Sequence, residues 1–310
     1  MSRTEGFSQG LYQPVMGTDL RIQVWAQNQS AAETGEQVVL SEVQQLAAVF
    51  TTWEPASELM RWRRGEIEQP SPELEAVLLR SEHYFRLGGG AFHPACEPLR
   101  LRWLRAEREG VVPSREEMAT LARSIAELPW REESGRLRRT GDCRGADVNA
   151  FVKGWIVDAA LERAWREVPG LTRIGVNAGG DLRHRGEGVW RVGVEDPLRP
   201  ADNGADRIAT VALHDAAIAS SGLARRGFRV GEAWFGHVID PRTGWPVEHL
   251  AQATVVAPDC GTADALATIC GVLEPEQAVA FVDDWPAAEA LLVTADGQHR
   301  CSAGWQQLLA

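Results

Sequence analysis

The chain has 310 residues, of which 44% are hydrophobic and 24% charged, which is the composition of a globular protein with length for one large or two smaller cores. The formal net charge of −11 argues against a general nucleic-acid binder, which needs a basic surface. No apolar run reaches the ~20 residues of a membrane helix, and the first residues show neither a basic lead-in nor an apolar core, so no membrane segment and no secretory signal is expected. The five cysteines are odd in number and contain no C-x-x-C pair, which reads as reduced thiols and a cytoplasmic protein.

In chain order, the alternation from Leu20 to Trp25 predicts a strand entered through a turn at Gly17. Residues 31–50 predict a helix with Val39, Val43, Leu46, Ala47 and Phe50 on one face. A break at 51–55 carries Trp53, which reads either as a core or rim aromatic or as a flat wall for a planar ligand. Ser71-Pro72-Glu73 starts a helix through Leu74, Val77, Leu78 and Phe85, and Gly88-Gly89-Gly90 ends it. Three glycines exceed a C-cap; they let backbone approach a ligand or simply form a loop. Ser114 with Glu117 three residues on matches a capping box, leading a helix with Met118, Leu121, Ile125 and Leu128 inward. Residues 130–145 are Arg-rich and Gly-bearing, a hairpin or loop and the best candidate boundary if the single domain has two lobes.

Lys153 is the only lysine among 32 basic residues, and it stands at the start of a helix running past Ala159, Leu161 and Trp165. Lysine opposes the positive end of a helix, so its placement is easiest to explain if an anion lies between the two. A strand from Arg173 ends in the turn Gly179-Gly180, further strands are expected around Trp190–194 and 208–213, and the small polar run Ala219-Ser220-Ser221-Gly222 suits a tight cleft. The stretch Gly236–247 hands His237 and Asp240 from apolar Val238-Ile239 to a run of turn residues, with Asp240 either orienting the imidazole or, as favoured here, capping the turn. After a strand at 253–257, Asp264 and Thr268 sit one helical turn apart. That pair suits a hard cation, although an acidic residue near a helix start and a Thr bonded to the i−4 carbonyl are common without one. A helix at 275–283, a strand at 290–294 and an Asp296-Gly297 turn close the chain. Strands and helices mix throughout, without internal repeats, so the class is α+β, with mixed sheets flanked by helices.

Seven motifs occur in one order: Met16-Gly-Thr, Gly89-Gly-Ala-Phe, Asp147-x-x-Ala-x-x-Lys-Gly, Asn177-x-Gly-Gly-Asp, Ala219-Ser-Ser-Gly, His237-x-Ile-Asp-Pro-x-Thr-Gly and Ala263-Asp-x-x-x-Thr. In this the sequence resembles the ApbE family of flavin transferases. The resemblance implies a T-fold-related architecture with an FAD cleft between two lobes. It implies transfer of FMN from FAD, with Mg²⁺, to a Thr or Ser hydroxyl of an acceptor flavoprotein, with release of AMP. It places Met16, Trp53, Gly89, Gly90, Ala91, Phe92, Asp147, Lys153, Ser220 and His237 at FAD, and Mg²⁺ on the Ala150 carbonyl, Asp264 and Thr268. His237 would take the proton of the acceptor hydroxyl, and Lys153 would add fixed positive charge at the phosphates. An FAD pyrophosphatase using water, or a flavin binder without turnover, are the alternatives. The chain departs from the pattern at His93, where many relatives carry Asp, and at Asn149 and Val152.

Overall fold

The computed structural model describes residues 5–199, 206–222 and 226–310. The chain opens with an antiparallel hairpin, β1 (Gly6–Val15) and β2 (Thr18–Ala26), followed by the long helix α1 (Gln29–Phe50). Four helices follow: α2 (Glu58–Arg63), α3 (Pro72–Leu87), α4 (Glu97–Glu109) and α5 (Arg115–Ser124). Next come the hairpin β3 (Trp130–Glu133) and β4 (Arg136–Arg139), then α6 (Val152–Glu167). Strands β5 (Leu171–Ala178), β6 (Asp181–Gly186), β7 (Trp190–Glu195), β8 (Arg207–Leu213) and β9 (Ala217–Gly222) come next. Two small hairpins are β10 (Gly227–Val230) with β11 (Ala233–Gly236) and β12 (Ile239–Asp240) with β13 (Trp245–Pro246). The chain ends with β14 (Leu250–Ala257), α7 (Cys260–Cys270), α8 (Pro275–Asp283), β15 (Glu289–Thr294) and β16 (His299–Cys301).

Eight strands form one sheet in the order β1-β2-β5-β6-β9-β14-β15-β16, and every pairing among the described residues is antiparallel. An antiparallel sheet presents two distinct faces, because successive side chains alternate. On one face Ile22, Val24, Ile174, Val176, Ala219 and Val255 meet α1, α6 and α7 in the large core. On the other, Leu182, Ile218, Val256 and Leu291 meet the β7–β8 hairpin and Trp305. A third, smaller core joins α4 and α5 to β10 and β11 through Leu99, Trp103, Met118, Phe228 and Val230.

The expected face of α1 is buried at Val39, Val43, Leu46 and Phe50, each contributing about 1.5–3 kcal/mol of apolar transfer. Ser71 caps α3 by accepting from the Leu74 N–H at 3.2 Å, with Pro72 in the first turn. The capping box at Ser114 is only half made. Ser114 accepts from the Glu117 N–H at 3.1 Å, but the Glu117 carboxylate turns to the Arg102 guanidinium, a charged two-point partner that outcompetes a backbone N–H. That helix ends at Ser124, so Ile125 and Leu128 lie beyond it. Within residues 130–145, β3 and β4 form a hairpin and Cys143–Gly145 a 3₁₀ turn, and Trp130 and Cys143 are buried in the large core. Among the described residues no helix is long and apolar enough to cross a membrane, and all five cysteines are free thiols.

Candidate active site

Helix α6 places Lys153 as its second residue, and its N-terminal Phe151 supplies no side-chain cap. Across from it, the Gly179-Gly180 turn, with φ of +64° and +105°, swings Asp181 into the first position of β6. A Cβ on Gly179 would lie within 2.9 Å of the Thr18 side chain, so the turn requires glycine for space as well as for φ. Asp181 is buried and pairs directly with the Lys153 ammonium. Burial would lower the lysine pKa, but the charges of Asp181 and Asp264 outweigh it and hold the value above the ordinary one.

Asp264 lies on α7, packed against α6. The two helices approach closely because Gly154 has no side chain: a Cβ there would sit 2.7 Å from the Cys260 carbonyl carbon and 2.9 Å from the Gly261 nitrogen. The Gly154 backbone N–H favours the charged Asp264 carboxylate, while Oδ2 is buried and has no hydrogen-bond partner among the described residues. Desolvation first, then the like charge of Asp181, push the Asp264 pKa well up, against the pull of Lys153. One turn on, the Thr268 hydroxyl donates to the Ala150 carbonyl at 3.0 Å. Both ordinary explanations for this pair fail. The cap of α7 is Asp259, which accepts from the Thr262 N–H at 2.8 Å, and Thr268 does not bond back to its own helix. An orphaned buried carboxylate oxygen beside a hydroxyl and a carbonyl is an all-oxygen donor set, and it fits a hard divalent cation such as Mg²⁺. Among the described residues no group of three or more His, Cys, Asp or Glu side chains could hold a metal, so a cation here relies on this mixed set.

Two residues without an assigned role in the sequence reading hold this arrangement. Asp158, also on α6, accepts from the Cys260 N–H at 2.9 Å and the Gly261 N–H at 2.7 Å, anchoring the start of α7. Its burial raises its pKa to about 7, opposed by those two N–H bonds. Asp181 is the other, which the sequence placed only at the end of the Asn177-x-Gly-Gly-Asp motif. Neither spacing is legible in sequence, because both partners lie on other elements.

His237 follows β11, and its Nδ1 lies 3.2 Å from the Arg226 carbonyl. A carbonyl only accepts, so Nδ1 carries the proton and Nε2 keeps a free lone pair. His237 is exposed, yet partial desolvation pushes its pKa below the ordinary value, with the Arg226 carbonyl opposing. Asp240 does not orient this ring. Its carboxylate accepts from the Arg242 N–H at 2.9 Å and from the Arg242 guanidinium at 2.9 and 3.0 Å, closing its own turn. That turn is fastened to α4, where Trp103 Nε1 donates to the Gly244 carbonyl at 2.9 Å.

The remaining candidates divide. Met16, at φ +52° in the β1–β2 turn, lies at the same sheet end as Asp181, where the Gly179 N–H donates to the Asp19 carbonyl at 3.1 Å. Trp53 is 92% exposed, so it is not a core aromatic. Gly88 abuts Ile269 of α7 and Gly90 abuts Arg242, which places this turn between the Asp264 helix and the His237 hairpin. Gly89 is open to solvent, whereas Ala91 and Phe92 are buried, and the Phe92 ring packs with Tyr84 and Phe151. A contact from Ala91 or Phe92 to a ligand is therefore limited to backbone. Asp147 accepts from the Asn149 N–H at 2.9 Å, and its own N–H ties the loop to the Pro94 carbonyl at 2.7 Å. Ser220 is not brought to the Asp264 side. It pairs with Thr254 at 2.8 Å on the sheet face that carries Ile218 and Val256, opposite α7, because strand alternation gives that face to every second residue. His93, in place of the expected Asp, is a neutral clip: Nε2–H donates to the Ile125 carbonyl at 2.7 Å and Nδ1 accepts from the Ala95 N–H at 3.1 Å. Burial lowers its pKa.

A lone ammonium, an orphaned carboxylate and an imidazole with a free Nε2, carried by an α+β frame, define a group-transfer enzyme. The ApbE family model matches residues 16–292, and the chain belongs to that family. The FAD:protein FMN transferase of Treponema pallidum is 27% identical over 319 residues, covering 94% of this chain and 85% of the relative. That of Escherichia coli K12 is 30% identical, covering 74% and 68%. The crystal structure of an ApbE protein from Thermotoga maritima superposes with a TM-score of 0.85 at 25% identity, covering 98% of this chain and 99% of that one. The flavin transferase ApbE of Vibrio cholerae shares the fold at a TM-score of 0.78 and 24% identity.

Proposed function

We propose that the chain transfers FMN from FAD to a Thr or Ser hydroxyl of an acceptor protein, forming a phosphoester and releasing AMP, with Mg²⁺ required. The observation that carries the reading is the buried, unpartnered Asp264 Oδ2 beside Thr268, the Ala150 carbonyl and the Lys153 end of α6. The names of the relatives supply the flavin and the protein acceptor.

In this reading the Ala150 carbonyl, Asp264 and Thr268 hold Mg²⁺. When bound, the ion neutralises pyrophosphate charge and polarises the phosphorus under attack. Lys153 and the uncapped start of α6 hold phosphate oxygens through fixed positive potential. Asp181 keeps the ammonium in place. Trp53, Met16 and the Gly89-Gly90 turn line the flavin and nucleotide. His237 accepts the acceptor hydroxyl proton at Nε2 as the new O–P bond forms and the bond to AMP breaks. The five free thiols support a cytoplasmic setting.

The test is incubation with FAD, Mg²⁺ and candidate acceptors, read by in-gel flavin fluorescence and intact mass. Asp264→Ala is expected to abolish transfer while FAD binding survives in weakened form. Full transfer by that variant removes the metal assignment, and FMN release that acceptor does not alter identifies hydrolysis instead.

A further inference from the structure

On the sheet face away from α6 and α7, Gln23, Trp25, Arg173, His184 and Trp190 line a half-open slot of about 210 Å³. The Trp190 ring is seated directly on the Gly175 backbone, where any Cβ would collide with it, and this close approach fixes the indole at one side of the slot. One wall is the Trp190 indole, and the other is the Arg173 guanidinium, stacked 3.5 Å from the centre of the Trp25 ring. Arg173 has no carboxylate at ion-pair distance among the described residues, where most arginines have one, in a chain with an excess of acidic groups.

His184 is 0% exposed, and its Nδ1 accepts from the Asp215 N–H at 3.4 Å, which places the ring proton on Nε2. Among the described residues that buried Nε2–H has no hydrogen-bond partner. Burial, then the charges of Arg173 and Arg183, lower the ring pKa to about 4, so it remains a neutral donor at physiological pH. A buried donor left without an acceptor is costly, and a ligand that accepts from it recovers that cost. The slot therefore offers donors and aromatic walls together: a cation, a buried N–H and two indoles.

We propose that this slot is a second binding site, distinct from the flavin site, for a small planar aromatic carboxylate. The ring lies between Trp190 and the Arg173 face, and the carboxylate accepts from Arg173 and from His184 Nε2–H. Planarity is set by the two walls, and negative charge by a lining that includes an unpaired guanidinium and an unpaired N–H donor.

The test is calorimetric titration of the full chain, saturated with FAD, using salicylate as the probe and uncharged salicylamide as its control. Saturable one-site binding of salicylate is expected, with salicylamide weaker by at least about ten-fold, as befits loss of a charge-assisted pair. Arg173→Met, its folding verified by circular dichroism, is expected to lose at least about ten-fold in salicylate affinity. In the wild-type chain, the His184 Nε2 proton resonance is expected to move on titration. Equal affinity for salicylate and salicylamide, an unchanged Arg173→Met, a His184 proton that does not respond, or no saturation at millimolar probe each overturns the proposal.

Discussion

Replacing Gly154 with Ala tests the helix crossing on which the candidate site depends. The added Cβ would lie 2.7 Å from the Cys260 carbonyl carbon and 2.9 Å from the Gly261 nitrogen, and nearer still to the Cys260 oxygen. All three are backbone atoms at the start of α7, so no side-chain rotation relieves the contact. Ordinary carbon contacts begin at about 3.5 Å, so α7 must withdraw by most of an ångström. Such overpacking costs about 1–3 kcal/mol, against about 1 kcal/mol gained from replacing a helical glycine. The net loss of roughly 0–2 kcal/mol is readable as a lower urea midpoint at unchanged slope. The catalytic cost is larger. Withdrawal separates Asp264 from the Gly154 N–H and from Lys153, and a displacement near 1 Å costs on the order of 10² in rate. Flavin transfer by Gly154→Ala is therefore expected to fall about a hundred-fold with a folded protein. Unchanged stability and full transfer would refute the idea that Gly154 sets the distance between the two helices.

The other expectations follow from the same geometry. Trp53→Ala is expected to weaken FAD binding by about 1–2 kcal/mol, roughly 5–30-fold by flavin fluorescence quenching, while urea stability stays within about 0.5 kcal/mol, since the ring packs on nothing in the core. His237→Gln is expected to lower transfer by about 10²–10⁴-fold with FAD binding retained. The reactive form of His237 is the unprotonated one and its pKa is pushed down, so wild-type transfer should rise with pH through a limb centred below 6.5, and a limb at or above that value contradicts the assignment. Asp158→Ala strands the Cys260 and Gly261 N–H groups and is expected to lower stability by about 1–3 kcal/mol in urea. The folded-state pKa of Asp158, about 7, exceeds its ordinary value of 3.8, so folding takes up a proton and this contribution is lost as pH rises from about 4 towards 7; Asp158→Asn should flatten that slope.

Much of this architecture was legible because local chemistry agreed with the final structure. Ser71 and Pro72 marked the start of α3, the α1 stripe marked its buried face, and the turn residues of 240–244 marked a real turn. What stayed illegible depended on partners distant in sequence. Strand β1 shows no clean alternation because it is an edge strand, with Phe7 and Leu11 half exposed. Helix α4 hides its Leu99, Trp103 and Ala106 stripe among arginines and glutamates. Ser220 was placed at FAD by the resemblance, within a small polar run that suits a cleft, but strand register, which neither encodes, turns it away from α7. Asp181 looked like part of a turn, and only the docking of α6 against β6 shows that it holds the lone lysine.

The lysine and the metal-type carboxylate belong to different helices, yet one helix fixes both. Within its first seven residues, α6 carries Lys153, Gly154 and Asp158. Lys153 supplies the cation, Gly154 allows α7 to approach and its N–H favours the charged Asp264, and Asp158 ties down the N–H groups that begin α7. Asp264 and Thr268 then follow at fixed helical offsets from that anchor. The charge pattern is thus set by one helix crossing rather than by a flexible loop, which suits a site that must present positive charge to a pyrophosphate without rearranging during transfer. His237, by contrast, stands beside a small hairpin whose turn is fastened to Trp103 in the smaller core. The proposed base and the proposed phosphate-binding groups therefore rest on different cores, and substitutions at the Trp103–Gly244 contact should affect proton transfer to His237 more than FAD binding.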